Sequence, residues 1–360
     1  MLRRPLPSHP RRIILIKSHS AGIGDILRSS AAWAVLKRRW PDAELHLIFL
    51  TRWPGYPSEE LISRHHLLHS AHFLPLQEGR FAGMRGVGPK GWRSLLPELR
   101  RLGKEIQPDL IIDHEPHGIE TAIASRILRA QSPRAATVGV AQVPGRGLLY
   151  DHSGPSLSRY AQKHGLPQPM DYTERDFAAL AALGLERKGQ PICLQVGTDG
   201  RAWQQKNCKS SERLRIGLNI GCGTPDALAK RPDLDLLVES FGKLALLQPY
   251  QLLLTGAPNE HAVNAEFRQR YWQRWGESPI ENLAGAGSLD LLSGIIDSCD
   301  LFVSSDSGPY HMSVGLGKPT IVLFHRPNPA HYHRVGNLLV LVAPSVDMLL
   351  DALRQRLPAP

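Results

Sequence analysis

Twice in this chain a short apolar run leads through a glycine-bearing turn into an amphipathic helix and a second apolar run, and this constrains the fold more than any other feature. The first instance is Ile13-Ile14-Leu15-Ile16, the turn around Gly22-Ile23-Gly24, a helix over about Asp25 to Arg39 stopped by Pro41-Asp42, then Glu44 to Leu50. The second is Arg215 to Ile220, Gly221-Cys222-Gly223, a helix over about Leu234 to Leu247, then Gln251 to Thr255. A strand, a covering helix and a second strand close as a right-handed crossover with parallel strands. Leu110 to Asp113 with a helix near Ile119 to Leu128 adds a unit, as does Leu301 to Ser304 with a helix near His311 to Leu316 and the strand Thr320 to Phe324. The expectation is an α/β protein of two doubly wound, Rossmann-like domains facing a cleft, with ligands at the carboxyl ends of the strands. The junction is placed near residue 190, giving domains 1–189 and 190–345. A last helix over 346–360 is one the sequence leaves free to return to the first domain. The stretch Gln190 to Arg213, rich in Gly, Gln, Lys and Ser, lacks a long periodic pattern, and an extra hairpin is open there.

With 360 residues, 42% hydrophobic and 21% charged, the chain can bury two ordinary cores and does not have the profile of a disordered one. No apolar run approaches the roughly 18 residues that span a bilayer. The opening apolar stretch is too short for a signal-peptide core, so a cytoplasmic location is expected. Cys193, Cys208, Cys222 and Cys299 have no C-x-x-C spacing, which argues against a zinc site or a disulfide framework. The charge is uneven. Residues 1–180 hold 25 Lys/Arg against 16 Asp/Glu, whereas residues 181–360 hold 18 against 17, so nearly all of the net +10 sits in the first half. That half is suited to something anionic: nucleic acid, an anionic membrane surface or a phosphorylated glycolipid.

Three motifs carry chemistry. Gly22 and Gly24 allow a tight turn and close backbone approach after the first strand. A dinucleotide site would need a third glycine where Leu27 stands and an acid at the end of the second strand, where Ile48-Phe49-Leu50-Thr51 has none, so NAD is disfavoured. Asp25, at the start of the helix, is open to two readings. As a helix cap it is worth about 1 kcal/mol; as a general base it accepts a proton from an attacking hydroxyl. Ser304-Ser305-Asp306-Ser307-Gly308-Pro309-Tyr310-His311 ends an apolar strand and starts a helix, offering hydroxyls, amides and a helix N-terminus to a diphosphate. Gly221-Cys222-Gly223-Thr224, followed by Lys230-Arg231, offers a second glycine turn and a lysine that can meet a phosphate as a point charge. His65, His69 and His72 would share a face if their segment were helical, and His325, His331 and His333 cluster after the last strand. Neither group has a metal-ligand pattern.

Together these segments resemble the bacterial lipopolysaccharide heptosyltransferases, glycosyltransferase family nine, whose fold is GT-B. The Gly24-Asp25 turn is similar to the family's first turn, and Asp306-Ser307-Gly308 with His311 matches its D-[ST]-G-x-x-H motif. Leu283-Ala284-Gly285 and Gly317-Lys318-Pro319 match as well, while His325-Arg326-Pro327-Asn328-Pro329 departs from the family's G-P-[TS]-x-P loop. The resemblance implies that Asp25 is the base of an inverting transfer. It implies that Lys230, Thr224, Asp306, Ser307, Gly308 and His311 hold the donor diphosphate, with Glu260 near the ribose. It implies an ADP-heptose donor, no cofactor and no metal, and an anionic, Kdo-bearing lipopolysaccharide core as acceptor at the inner membrane, with no nucleic acid. Two alternatives keep the fold: a nucleotide-sugar epimerase or hydrolase, and a degenerate transferase acting as a binding subunit.

Overall fold

The computed structural model describes residues 3–358 apart from 20–21, 52–53, 77, 82–83, 209–212 and 222–228. The chain divides into two compact units, Met1–Ile192 and Cys193–Pro360. In the first, β1 (Arg12–His19), β2 (Glu44–Thr51), β3 (Ser70–Pro75), β6 (Leu110–Asp113), β7 (Ala136–Val140) and β8 (His152–Gly154) form one sheet. Its order is β3-β2-β1-β6-β7-β8, and every pairing is parallel. β4 (Glu78–Phe81) and β5 (Met84–Val87) pair separately as an antiparallel hairpin. The helices are α1 (Ile23–Leu27), α2 (Ser30–Arg39), α3 (Pro57–Ser63), α4 (Pro89–Ile106), α5 (Glu120–Gln131), α6 (Leu157–Lys163) and α7 (Arg175–Leu180).

The second unit contains α8 (Thr198–Asn207), β9 (Leu214–Asn219), α9 (Leu234–Ala245), β10 (Tyr250–Thr255), α10 (His261–Trp275) and β11 (Ile280–Asn282). It continues through α11 (Leu289–Asp297), β12 (Leu301–Ser305), α12 (Gly308–Gly315), β13 (Thr320–Phe324), β14 (Leu338–Val342) and α13 (Val346–Arg356). Its sheet, β11-β10-β9-β12-β13-β14, is again all parallel. Setting the hairpin aside, both sheets run third-second-first-fourth-fifth-sixth, the doubly wound order, with a switch point beside the first strand.

The central strands are apolar without alternation because helices cover both faces. Ile13, Ile14, Leu15 and Ile16 are all fully buried. One face of the first sheet packs Ile14, Ile16, Ile48 and Ile111 on Leu95, Leu99 and Leu102 of α4 and Leu128 of α5. In the second unit Ile216, Leu218, Leu252, Val303 and Ile321 pack on Phe241 of α9 and Phe267 of α10. Leu349 and Leu353 of α13, the helix whose course the sequence left open, enter this same core.

Three local expectations are corrected. The helix expected over Asp25 to Arg39 is two helices, parted at Arg28-Ser29, where the Ser30 hydroxyl donates to the Leu27 carbonyl at 2.6 Å and competes with the helical ladder. The segment expected to lack periodic structure contains α8. Its sequence is mostly polar and only Gly200 is buried, so no apolar stripe announces it. It packs on α11 so closely that a Cβ on Gly294 would lie 2.4 Å from the Gly200 carbonyl oxygen. His65, His69 and His72 do not share a helical face: α3 ends at Ser63, and His72 lies in β3.

Candidate functional site

At the first unit's switch point, between the carboxyl ends of β1 and β6, lies a cavity of about 250 Å³. β1 ends its apolar run with Lys17 and Ser18, which line the cavity. Lys17 Nζ donates to both carboxylate oxygens of Asp176, at 2.9 and 3.1 Å, and to Ser29 Oγ at 2.6 Å. Asp176 is buried. Burial alone would raise its carboxyl pKa, but the Lys17 charge beside it and hydrogen bonds from Ser29 and Lys17 outweigh burial and leave it lowered.

Asp25 also lines this cavity and is exposed. It is not the cap: Gly22 holds that position with no side-chain capping bond, and Asp25 is the third residue of α1. A Cβ at Gly22 would stand 3.0 Å from Asp25 Oδ2, so the carboxylate folds back over the glycine turn. Gly24 lies between them in the first turn of α1.

The opposite wall comes from the stretch that ends in α7. Arg28 Nη1 donates to Asp171 Oδ1 at 2.9 Å, and the Arg175 guanidinium sits 3.6 Å from the centre of the Tyr172 ring. His114 and Glu115, directly after β6, also line it and are both buried. None of His114, Glu115, Arg28, Tyr172, Arg175 or Asp176 was picked out by motif reading. Nor does Lys17 belong to any of these motifs. The one signal available for it was a lysine closing an otherwise apolar central strand.

In the second unit the polar cluster again lies at the switch point, after β9 and β12. Lys230 Nζ donates to Asp306 Oδ2 at 2.9 Å, and His331 Nδ1 lies 3.1 Å from the same oxygen. Asp306 is pushed upward by burial, but hydrogen bonds from His331 and Lys230 prevail and hold it well below the usual carboxylate range. Ser307 is the N-cap residue of α12, yet its hydroxyl donates to Asn219 Oδ1 at 2.8 Å and makes no capping bond. Gly308 begins the helix, so the amides of its first turn point toward the cluster. His311 is buried, its Nδ1 2.8 Å from His333 Nε2.

The histidines after β13 are therefore built into this site: His331 on Asp306, His333 on His311, and His325 Nε2 2.7 Å from the Arg231 carbonyl oxygen. The loop that departs from the family pattern thus contacts the basic pair through His325, and His331, just after it, contacts the Asp-Ser-Gly turn. Glu260 is buried and accepts the Ala257 amide at 2.7 Å, and a Cβ on Gly221 would lie 1.6 Å from its Oε1. It holds the turn after β10 against the end of β9. Thr224, with Cys222 and Gly223, lies outside the described residues. Among the described residues no group of three or more His, Cys, Asp or Glu could hold a metal ion, and no helix is long and apolar enough to cross a membrane.

Comparison with known proteins follows this geometry. Residues 137–345 match the glycosyltransferase family 9 (heptosyltransferase) domain. A curated relative, lipooligosaccharide heptosyltransferase 2 of Haemophilus influenzae, is 30% identical over 94 residues, which are 25% of this chain and 27% of that protein's length. Among solved structures, the Escherichia coli ADP-heptose lps heptosyltransferase II superposes with a TM-score of 0.64 at 21% identity, covering 95% of this chain and 98% of that one. The E. coli heptosyltransferase WaaC with ADP-2-deoxy-2-fluoro heptose gives 0.62 at 18% identity, covering 96% and 98%. These superpositions bear out the GT-B fold.

Proposed function

This chain belongs to glycosyltransferase family 9, the heptosyltransferases, and from that premise we propose that it moves a heptose or related sugar from an ADP-sugar to a lipopolysaccharide core. The second unit binds the donor and the first binds the acceptor. The observation that carries this reading is the unlike chemistry of the two switch points. The second unit has an uncapped helix start beside Lys230 and Asp306, suited to a diphosphate. The first has a cavity with an exposed carboxylate, suited to a hydroxyl that must lose its proton.

In the step itself, an acceptor hydroxyl oxygen bonds to the anomeric carbon on the face opposite the leaving group. Its proton passes to the Asp25 carboxylate, and the bond from the anomeric carbon to the β-phosphate oxygen breaks. ADP leaves with that electron pair, and configuration inverts. Lys230 and the first-turn amides of α12 stabilise charge growing on the departing diphosphate, the part that a metal plays in other transferases. The excess positive charge of the first half fits an anionic glycolipid at the cytoplasmic face of the inner membrane.

Two measurements test this assignment. Calorimetry is expected to detect ADP binding with chelator present; binding that vanishes with chelator and returns with magnesium overturns the metal-free step. Salt is expected to weaken acceptor binding far more than ADP binding, because exposed charges are screened within about 10 Å at 0.1 M. Acceptor affinity that is flat with salt removes the electrostatic basis for an anionic acceptor. Donor turnover without any acceptor would instead favour hydrolysis or epimerisation.

A further inference from the structure

His114 is 1% exposed and lines the first unit's cavity. Its Nδ1 lies 3.3 Å from the Asp176 backbone carbonyl oxygen. A carbonyl can only accept, so the ring proton is on Nδ1. Burial, helped by the nearby Lys17 charge and opposed by Asp176, lowers the imidazole pKa and keeps the ring neutral. Nε2 therefore carries a bare lone pair. It is buried and has no hydrogen-bond partner among the described residues. An unmet acceptor in a closed site costs roughly 1–3 kcal/mol, so such an atom calls for a donor from outside the chain. The neighbours on the cavity wall do not supply one: Lys17 is held by Asp176 and Ser29, and Arg28 by Asp171. Arg175 stacks on Tyr172 and forms no ion pair among the described residues.

We propose that His114 Nε2 accepts a hydrogen bond from a hydroxyl of the acceptor sugar, making His114 a specificity residue for a free hydroxyl at that position. This rests on the assignment of the first unit to the acceptor. An oxygen of a phosphate or carboxylate brings no proton and meets the bare nitrogen lone pair to lone pair, so an acceptor esterified at that hydroxyl is rejected there. An anionic substituent elsewhere on the same sugar is served by Arg175, held in place by the Tyr172 ring.

The test has two parts, and the first reads the wild-type ring directly, with a variant used only to assign its signal. Histidine-selective nitrogen-15 spectra of the full chain at neutral pH are expected to show His114, identified by its loss in H114Q, as a neutral ring protonated at Nδ1. A ring protonated at Nε2, or at both nitrogens, overturns the proposal. The second part measures transfer from ADP-heptose to deacylated lipopolysaccharide core. H114F, which keeps the ring shape but has no acceptor, is expected to raise the KM for the core at least tenfold and leave the KM for ADP-heptose unchanged. H114Q, whose amide oxygen can accept the same hydroxyl proton, is expected to recover most of that loss. Wild-type transfer with equal core KM in H114F and H114Q refutes the role of His114 alone. Absence of transfer by the wild type defeats the acceptor assignment and this inference with it.

Discussion

Replacing Asp25 by Asn is expected to lower turnover roughly a hundredfold or more at saturating donor and acceptor, with folding and ADP affinity nearly unchanged. The structure sharpens what this substitution reports. Had Asp25 been the helix cap, Asn would have replaced it in kind, since the two residues cap with similar strength. Gly22 is the cap, and Asp25 is the third residue of the helix. There its carboxylate interacts favourably with the helix dipole, which is worth about 0.3–1 kcal/mol at a surface position. Losing that term could shift a melting temperature by a few degrees but cannot slow chemistry in molecules that remain folded. Asn keeps the shape and the hydrogen-bonding reach of Asp and removes the basic oxygen. The comparison uses saturating substrates so that a binding loss is not read as a chemical one. A folded D25N protein with near-normal turnover removes Asp25 from the mechanism.

The two sites differ in how legible they are in the sequence, and the reason is contact distance along the chain. The Asp306-Ser307-Gly308 turn and His311 come from a single strand-turn-helix segment, so the consecutive run from Leu301 to His311 displays the arrangement. Lys230 stands 76 residues away from Asp306, and only the family likeness joined them. The first unit's cavity draws on five segments, from β1, α1, β2, the residues after β6 and the stretch into α7. Lys17 and Asp176 are 159 residues apart, and neither β1 nor α7 taken alone suggests that the other will meet it. β8 is three residues long, too short for any alternation to register. The histidines after Phe324 were visible as a cluster, yet their partners Asp306 and His311 are set by how β13 and its loop return to α12. Apolar periodicity finds elements that bury a face, and it is silent on polar side chains that converge from separate strand ends.

Asp171→Ala is expected to remove a large part of the stability of the first unit. Asp171 is 1% exposed and holds two buried arginines at once, Arg28 on Oδ1 and Arg187 on Oδ2, each at 2.9 Å. It also accepts the Thr173 amide at 2.9 Å. Arg187 keeps a second partner in Glu174 at 3.0 Å, so it is not left without a counter-charge. Arg28, 4% exposed, loses its 2.9 Å bond to the Asp171 carboxylate. Breaking a buried pair from one side costs about 3–5 kcal/mol, because a desolvated charge loses a counter-charge. Against the 5–15 kcal/mol that holds a typical domain together, that loss is close to unfolding. Removing the exposed pair of Arg101 and Glu98, 50% and 46% exposed, should cost under about 1 kcal/mol and serves as the control. Calorimetric unfolding of D171A, of E98A and of the double variant R28M/D171A checks the argument. R28M/D171A should recover part of the loss, since it removes the buried guanidinium along with its Asp171 counter-charge. D171A melting alongside E98A would mean that solvent reaches Arg28 and that the cationic wall of the cavity is not fixed by Asp171.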